Sequence, residues 1–505
     1  MKKSLKITLV SALALFMLVG CGFSAAGSAE TLSAASSSVG TVLTAGLSAS
    51  AIDTSVSNRD ASGEYDAAEA ATLSPDDELT ITAAGVYVLS GDYTGMIVVE
   101  AGEEDKVQLV LENASITNDS GPAIYVRSAD KVFITAAAGT VNTISDGSDY
   151  TLTDDDTTLD AAVFSKDDLT VNGAGKLTIN GNYKHAVVSK DDLVITAKDL
   201  TVNAENVGLN GKDSVKLSGA AVSITAGSDG IRSDNGTDAD KGFVSVVDSE
   251  LTIVSGKDGI QAETVFTAEN AEVSVTAGGG SSGSSTDASE SYKGVKAGVS
   301  ITVSGGVYKI DSLDDAIHTN GSVLISDGEF TLQSRDDGIH ANETAEIAGG
   351  TLNITAREGI EGTYVLISGG DITIQASDDG INAALKSSAY TPTVEIAGGT
   401  VTITMGAGDT DGIDANGYLI ISGGTISVNG QSPFDYDGNA SFTGGTVYVN
   451  GQQVSSLSNQ MMGGPGDMGG FGGQGGFGGG PGGEGGFGGH GGQGGFGGGP
   501  GGGRP

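Results

Sequence analysis

Apolar and polar residues alternate in short segments along most of this chain, which is typical of β-strands with one buried face. One kind of segment places an aliphatic residue between a small residue and a polar one, as in DGIHA at 337–341. A second kind follows Gly-Gly-Thr with alternating aliphatic and polar residues, as at 349–354. A third is a short apolar run such as YVLI at 364–367. No segment of comparable clarity has helical periodicity, so the pattern predicts an all-β protein.

The small residue of the first segment recurs at a nearly constant interval. It falls at Ala162, Ala186, Gly208, Gly230, Gly259, Gly294, Ala316, Gly338, Gly359, Gly380 and Gly412. Most intervals are 21 to 24 residues, and the longer ones of 29, 32 and 35 indicate insertions in single coils, the clearest at 278–291. Three short strands in about 22 residues predict a right-handed parallel β-helix, a solenoid whose coils stack about 4.8 Å apart around inward aliphatic side chains. An array of antiparallel β-sandwiches is the alternative, but its strands would not recur so regularly.

The two ends of the chain differ in composition from this repeat. Residues 1–21 combine basic residues with an apolar stretch and end in LVGC, which predicts a lipoprotein signal peptide with lipidation of Cys21. Residues 22–57 are rich in Ser and Ala and predict a flexible linker, and 58–451 hold the repeat. Residues 452–505 are expected to be disordered, because 28 of the last 43 residues are Gly. We therefore expect a secreted protein, lipid-anchored to the outer face of the bacterial cell membrane; an ordinary secretory signal with a chance cysteine is the alternative.

Charge and cysteine content exclude several classes of protein. The chain carries 24 Lys and Arg against 64 Asp and Glu, a formal net charge of −40. Such a charge repels phosphates and argues against a nucleic-acid partner. One Cys cannot form an internal disulfide framework, and no apolar run is long enough for an ordinary membrane span.

Much of the negative charge falls in two columns of equivalent positions. Just before the small residue stand Asp229, Asp258, Asp315, Asp337, Glu358, Asp379 and Asp411. Two residues after it stand Asn210, Arg232, Gln261, Lys296, His318, His340, Glu361, Asn382 and Asp414, which alternation places on the outer face. Carboxylates stacked one coil apart repel, and calcium between coils would remove the repulsion. The candidate calcium ligands are Asp337, Glu358, Glu361, Asp379, Asn382, Asp411 and Asp414, although solvated turn aspartates would give the same pattern.

Basic and histidine residues suggest further chemistry. The segment SKDDL occurs at 165–169 and again at 189–193, which indicates either a Lys–Asp turn ladder that neutralises its own charge or an acid/base site. The bases that a lyase would need could be Lys166, Lys190, Arg335 or Arg357, and nothing in the sequence singles one out. His318 and His340 share a column, so they either line a ligand groove or bind a transition metal.

Several of these motifs together resemble one known family. SNRD at 57–60, the two SKDDL segments, the Asp-Gly-Ile repeats, EGIEG at 358–362 and DDGINA at 378–383 resemble the bacterial cell-surface carbohydrate-binding β-helix family. The resemblance covers roughly 58–451. It implies a fold similar to that of pectate lyases, binding of cellulose or pectic polysaccharide rather than catalysis, and calcium as the bound ion.

The candidate sugar contacts are Arg232, His318, His340 and Tyr364, with Tyr390 and Tyr418 as further stacking positions, since Trp is absent. A pectic polymer is itself an anion, so its binding is expected to need calcium, whereas binding of a neutral glucan is not. A calcium-dependent polysaccharide lyase and a structural surface stalk or adhesin are the alternative functions.

Overall fold

The computed structural model describes residues 52–459 except 76–78, 152–157, 285, 286, 288, 408 and 409. The predicted signal peptide with Cys21, most of the predicted linker and the chain from 460 onward lie outside the described residues. Within the described ranges, no helix is long and apolar enough to cross a membrane. The prediction of an all-β protein is confirmed there, because a single five-residue helix, α1 (Asn58–Ser62), accompanies forty strands.

The strands fall into three columns, which we call face 1, face 2 and face 3, in the order in which the chain visits them in each coil. Face 1 holds β2 (Thr80–Ile81), β4 (Ile97–Glu100), β6 (Ile124–Ser128), β9 (Ala161–Ser165), β12 (His185–Ser189), β15 (Leu209–Gly211), β18 (Ile231–Ser233), β21 (Ile260–Ala262), β23 (Val295–Ala297), β25 (Ile317–Thr319), β31 (Ile381–Ala383), β34 (Asp411–Ala415) and β37 (Ser432–Tyr436). Face 2 holds β1 (Ala71–Thr72), β7 (Lys131–Ala136), β10 (Asp168–Gly173), β13 (Asp192–Ile195), β16 (Ser214–Ser218), β19 (Phe243–Val247), β32 (Thr393–Ile396), β35 (Tyr418–Ile421) and β38 (Ala440–Phe442).

Face 3 holds β8 (Val141–Asp146), β11 (Lys176–Gly181), β14 (Leu200–Ala204), β17 (Ala221–Ala226), β20 (Glu250–Ser255), β28 (Thr351–Ala356), β30 (Asp371–Ala376), β33 (Thr400–Met405), β36 (Thr425–Asn429), β39 (Thr446–Val449) and β40 (Gln452–Val454). Some strands continue around a corner. Those that run from face 2 to face 3 are β3 (Gly85–Thr94), β5 (Lys106–Asn118), β22 (Val265–Ala277), β24 (Ser300–Ser312) and β26 (Ser322–Ser334), and those that run from face 1 to face 2 are β27 (Asp337–Ile347) and β29 (Glu358–Ile367).

Strand pairing makes these columns a solenoid of parallel strands. Ile317 lies opposite Ile339, Ile339 opposite Ile360, and Ile360 opposite Ile381, which are offsets of 22, 21 and 21 residues. These offsets equal the spacing of the small residue along the sequence, so the repeat and its parallel stacking are confirmed. An array of antiparallel sandwiches is thereby excluded for the described residues. The right-handed sense of the winding stays a prediction.

The core is a continuous column of aliphatic side chains. Ile339, Ile360 and Ile381 of face 1 are fully buried, as are Leu352 and Ile372 of face 3, and all belong to one apolar cluster. Full burial of one such side chain stabilises the fold by about 1.5–3 kcal/mol. Because every coil contributes equivalents of these residues, the core extends along the stack instead of closing around a centre.

The small residue of face 1 is required by close packing. A Cβ added to Gly359 would lie 2.3 Å from the carbonyl oxygen of Gly380 in the next coil and 2.5 Å from Cγ2 of Ile374. Neither contact is sterically possible without movement of the backbone or of the core side chain. The Gly-Gly turns need glycine for another reason, since Gly350 has a φ of +89°.

Helix α1 anchors the start of the described chain to face 2. Ser57 caps the helix by accepting from the backbone N–H of Asp60 at 3.2 Å. The buried Asp60 carboxylate accepts from the Thr170 hydroxyl at 2.5 Å and pairs with Lys131 Nζ at 2.9 Å. This helix was not predicted, because five residues are too few to show a periodicity.

The predicted start of the tail at 452 is wrong. Strand β40 (Gln452–Val454) pairs antiparallel with β39, and Leu457 is buried. The Tyr436 hydroxyl donates to the Leu457 carbonyl at 3.1 Å. The folded unit therefore continues to the last described residue, 459. The sequence did not indicate this, because a short turn-rich segment such as 450–459 carries too little apolar periodicity.

Candidate functional site

Polar side chains form a column along the outer side of face 1. His318 lies opposite His340, His340 opposite Glu361, Glu361 opposite Asn382, and Asn382 opposite Asp414. We call this column, together with the acidic positions three residues earlier (Asp315, Asp337, Glu358, Asp379 and Asp411), the face 1 ladder. The strand register confirms the predicted alignment of the outer column, and among the acidic positions it pairs Asp337 with Glu358.

The ladder is more buried than its outward position suggested. His340, Glu361 and Asn382 are only 9%, 4% and 8% exposed. His340 contacts Asp337 in its own coil and Glu361 in the next, and Asn382 donates to Glu358 of the preceding coil. At the centre of the ladder, side chains on the outer face of the coil are therefore largely shielded from solvent.

His340 occupies the point where two carboxylates converge. Its Nδ1 lies 2.8 Å from Asp337 Oδ2 and 2.7 Å from Glu361 Oε2, while its Nε2 lies 3.1 Å from Asn342 Oδ1. Burial alone would lower the pKa of His340, but the hydrogen bonds to Asp337 and Glu361 outweigh it and raise this pKa to about 10. Burial also opposes ionisation of Glu361, yet the bonds from His340 and Lys386 lower its pKa to about 2. The local field thus strongly favours a positive charge at Nδ1.

The preceding coil repeats this geometry. His318 Nδ1 lies 2.7 Å from Asp315 Oδ2, and the ring stacks on His340. Lys293 Nζ also pairs with Asp315, at 2.9 Å. Among the described residues, the ligand atoms of three sets lie within 4.8 Å of one another: Asp315, His318 and His340; Asp337, His340 and Glu361; and Asp314, Asp315 and Asp336.

Arg357 neutralises acidic residues of three successive coils. Its guanidinium donates to Asp336 and to Asp378, each at 2.6 Å, and lies 2.7 Å from Glu358 Oε1. Burial disfavours its charge, but the surrounding carboxylates raise the pKa of Arg357 above its ordinary value. Glu358 is therefore already paired with a cation, which weakens its case as a calcium ligand.

The end of the ladder lacks such compensation. Among the described residues, no Lys or Arg forms an ion pair with Asp379, Asp414 or Asp435. Burial first, and then repulsion from neighbours such as Asp414, raises the pKa of Asp379 to about 7. Burial and the facing Asp435 and Asp411 raise the pKa of Asp414 to about 6. Excess negative charge is concentrated here.

An unpaired amide oxygen lies in the same region. Asn382 donates from Nδ2 to Glu358 Oε2 at 3.0 Å, and its buried Oδ1 has no hydrogen-bond partner. The donors of this end of the ladder are all oxygens, which is the set that calcium prefers. The structure thus divides the predicted calcium ligands into two groups. Asp337 and Glu361 face the ring nitrogen of His340, and Glu358 pairs with Arg357. The remaining group offers only oxygen donors and consists of Asp379, Asn382, Asp411 and Asp414. The last four do not converge as tightly as the three sets above.

Three predicted sugar contacts are engaged elsewhere. Tyr364 is only 8% exposed, packs with Leu366 and Tyr390, and donates its hydroxyl to Glu395. It cannot offer a ring face to a sugar, so this prediction is wrong for Tyr364, as it is for the buried His340. Arg232 pairs with Asp229 at 3.5 Å and Asp234 at 3.7 Å.

Other candidates remain accessible on the outside of the solenoid. His318 is partly exposed, and Tyr418 of face 2 is 44% exposed. Tyr390 is partly exposed in the insertion at 384–392, which also carries the exposed Leu385. Of the tyrosines named from the sequence, Tyr390 and Tyr418 can thus present a ring.

Of the predicted lyase bases, Arg357 contacts the face 1 ladder, but the carboxylates around it raise its pKa above the ordinary value, which does not suit a base. The other three have contacts elsewhere. Lys166 and Lys190 lie over the rings of Tyr125 and Phe164 at 5.4 and 5.3 Å. The coil of Lys166 is seven coils from that of Asp337, roughly 34 Å at one rung per coil. Arg335 donates to the Gly283 carbonyl at 3.5 Å.

Two residues of this site were missed in the sequence. Lys386 lies 2.8 Å from Glu361 Oε1, and Asn342 contacts the His340 ring. Lys386 belongs to an insertion, so the repeat gives it no column. The His-x-Asn spacing at 340–342 is the one signal that could have indicated Asn342.

Comparison with known proteins places this chain in a family. The family described as carbohydrate-binding domain-containing protein matches residues 75–338 and 334–459, and the chain belongs to it. This membership agrees with the prediction of a binding protein rather than an enzyme.

Two related proteins match parts of the chain. A carbohydrate-binding domain-containing protein of Acetivibrio thermocellus is 39% identical over 129 residues, which are 25% of this chain and 45% of the relative, so the chain spans less than half of that protein. A solved structure of a polysaccharide lyase-like protein from C. thermocellum, a gadolinium derivative, is 34% identical, with 45% of this chain and 87% of the other covered at a TM-score of 0.41.

Proposed function

We propose that this protein is a cell-surface lipoprotein that binds polysaccharide along a right-handed, calcium-stabilised parallel β-helix. Membership in the carbohydrate-binding family is the observation that carries the proposal. The stacked coils support the proposal, because they provide long continuous faces that suit an extended polymer.

The surface that we assign to the sugar is the exposed apolar patch, which consists of Leu385 and Tyr390 of the insertion at 384–392 and Tyr418 of face 2. Tyr418 and Leu385 are 44% and 68% exposed, although apolar side chains of this size are usually buried. Tyrosine combines an apolar ring face with a polar hydroxyl, which suits a pyranose that has both kinds of surface. Tyr364, whose hydroxyl donates to Glu395, packs against Tyr390 and so supports one residue of the patch.

Calcium would be held by Asp379, Asn382, Asp411 and Asp414 at the end of the face 1 ladder. Their oxygen donors, the buried unpaired Oδ1 of Asn382 and the uncompensated charge fit a hard cation. Calcium bound there would neutralise the repulsion between coils and could accept a uronate carboxylate of an acidic polymer. A neutral glucan would not need it.

The attachment to the cell rests on the sequence alone. Lipidation of Cys21 would tether the chain to the outer face of the membrane, and the segment 22–57 would act as a spacer. The folded unit would then stand clear of the lipid surface and reach wall or environmental polysaccharide.

A glycan array followed by pull-down on cellulose and polygalacturonate tests this function, with and without a chelator. We expect retention on at least one polymer, with calcium needed for polygalacturonate only. Absence of binding to every glycan would favour the stalk or adhesin instead. Sustained release of unsaturated uronate from polygalacturonate, measured by absorbance, would favour the lyase.

The pKa values of the basic residues around Glu361 do not suit a lyase. A general base must release its proton near neutral pH, so its pKa has to be low enough. Around Glu361 the opposite holds, since neighbouring carboxylates outweigh burial and raise the pKa of both His340 and Lys386. His340 and Lys386 are therefore poorly suited to act as the general base of a lyase.

A further inference from the structure

We propose that His340, Asp337 and Glu361 form a binding site for a zinc-like divalent transition metal, separate from calcium. The inference does not depend on polysaccharide binding. It rests on three ligand atoms, His340 Nδ1, Asp337 Oδ2 and Glu361 Oε2, which lie within 4.8 Å of one another in a buried part of face 1.

The tautomer of His340 is the first argument. Its Nε2 faces Asn342 Oδ1 at 3.1 Å, which is an acceptor, so Nε2 carries the hydrogen in the neutral ring. Nδ1 then presents a lone pair to two carboxylate oxygens at 2.7 and 2.8 Å. The three atoms share one cation: a proton at Nδ1 can point well at only one of the two oxygens, whereas a metal ion in its place can bind both.

Groups behind the proposed ligands hold them in place, as is usual around a bound metal ion. A metal-bound histidine almost always donates its second N–H to an oxygen, as Nε2 does here to Asn342. The second oxygen of Glu361 is held by Lys386 Nζ at 2.8 Å, and Asp337 Oδ1 lies 3.6 Å from the Arg357 guanidinium. His340 and Glu361 are therefore oriented from behind, whereas the buried Asp337 Oδ1 has no hydrogen-bond partner. Nδ1, Oδ2 and Oε2 all lie within 4.8 Å of one another.

The choice of metal follows from the donors. A nitrogen with two carboxylates suits zinc and related ions, whereas calcium takes oxygens almost exclusively. Bonds of about 2.0–2.2 Å in a tetrahedral site would separate the ligand atoms by roughly 3.3–3.5 Å. The present separations of 2.7 and 2.8 Å would have to open by only about 0.6 Å, which rotation of the two carboxylates provides. His318, stacked on His340, stands next to the open position.

The test is a titration of the full, untagged chain with Zn²⁺ after removal of metals, in excess calcium and followed by calorimetry. We expect one tight equivalent that calcium does not displace. Removing one of three ligands should weaken the affinity at least about 100-fold, above the 10–100-fold typical of an outer partner. His340→Gln and Glu361→Gln should both show this loss, and the matched control His185→Gln, another buried histidine near a carboxylate, should not.

Co²⁺ titration of the unmodified protein gives a second measurement that needs no variant. Strong visible absorption with the pattern of a low-coordinate site containing nitrogen is expected, which supports the proposal even where His340→Gln fails to fold. No tight Zn²⁺ equivalent, displacement of Zn²⁺ by calcium, equal affinity in folded His340→Gln, or a weak octahedral Co²⁺ spectrum would each overturn it.

Discussion

The imidazole rings of His318 and His340 stack with their centroids 4.6 Å apart and their planes 16° from parallel. This separation is close to the rung spacing of paired strands, so the backbone repeat is copied directly by the side chains. The acid partners are copied as well, since Nδ1 of each ring contacts the aspartate three residues earlier. A substitution in one coil therefore changes the contacts of the coils beside it.

Replacing Gly359 by Ala should destabilise the fold by about 1–3 kcal/mol, the usual effect of overpacking. The new methyl group would lie 2.3 Å from the Gly380 oxygen and 2.5 Å from Ile374. Urea or thermal unfolding followed by circular dichroism measures the change. Gly406→Ala is the control, because its nearest contacts of 3.5 Å are ordinary. Equal effects in the two variants would show that the close approach does not matter.

Asp60→Asn should destabilise the protein by about 3–5 kcal/mol at neutral pH, because it removes the close partner of the largely buried Lys131, which keeps only Asp168 at 3.9 Å. Burial opposes ionisation of Asp60, but bonds from Ser57, Thr170 and Lys131 prevail and lower its pKa. With the folded pKa below the unfolded one, this stabilisation is present above pH ~4 and is lost as the pH falls through the lower, folded pKa.

The difference in unfolding free energy between Asp60→Asn and the unmodified protein should therefore shrink on acidification. Denaturant titrations at several pH values measure it. The exposed Asp92→Asn serves as the control and should change little. A difference that stays constant down to the lowest accessible pH would contradict an ionised Asp60 in the native state.

Asp414→Asn should act in opposite directions with and without calcium. In a chelator it removes one charge from the repelling group of Asp379, Asp411 and Asp435, so the melting temperature should rise. In calcium it removes a ligand, so the stabilisation that calcium gives the unmodified protein should largely disappear. Scanning calorimetry in both conditions measures this. If the chelator does not change the melting temperature of the unmodified protein, structural calcium is contradicted.

Tyr418→Ala should weaken polysaccharide binding by up to about tenfold without changing the unfolding transition, since a stacking contact contributes about 0.5–1.5 kcal/mol. Its ring is exposed and supports no core contact. Affinity electrophoresis or calorimetry on the polymer found by the array measures the loss. Tyr87→Ala, on the same face at the opposite end of the solenoid, should bind normally. Similar losses in both variants would place the sugar elsewhere.

The repeat predicted most of the fold because one coil is a local unit. The spacing of Gly338, Gly359 and Gly380 gave the strand register, and the residues that follow them, such as Ile360, are buried as expected. Contacts made by segments that do not repeat were not predictable. The insertion at 384–392 covers Tyr364 with Tyr390 and brings Lys386 to Glu361, and neither contact has a period in the sequence.

The candidate site was predicted as columns but not as chemistry. The sequence aligned His340 with Glu361, yet it could not show that both side chains turn toward Asp337 and are buried together. Burial and distance decide whether a carboxylate faces a nitrogen, a guanidinium or only other oxygens. These depend on side-chain conformation, which the pattern of residue types leaves open.

The antiparallel strand β40 has a consequence for how many molecules assemble. A stack of parallel strands ends in an open edge on which another chain could be templated, coil upon coil. By folding back on β39 over Val447–Val449, residues 452–454 occupy that edge with a strand of opposite direction. On face 3 the growth of the sheet thus ends within a single molecule, which protects a repetitive protein from polymerising end to end.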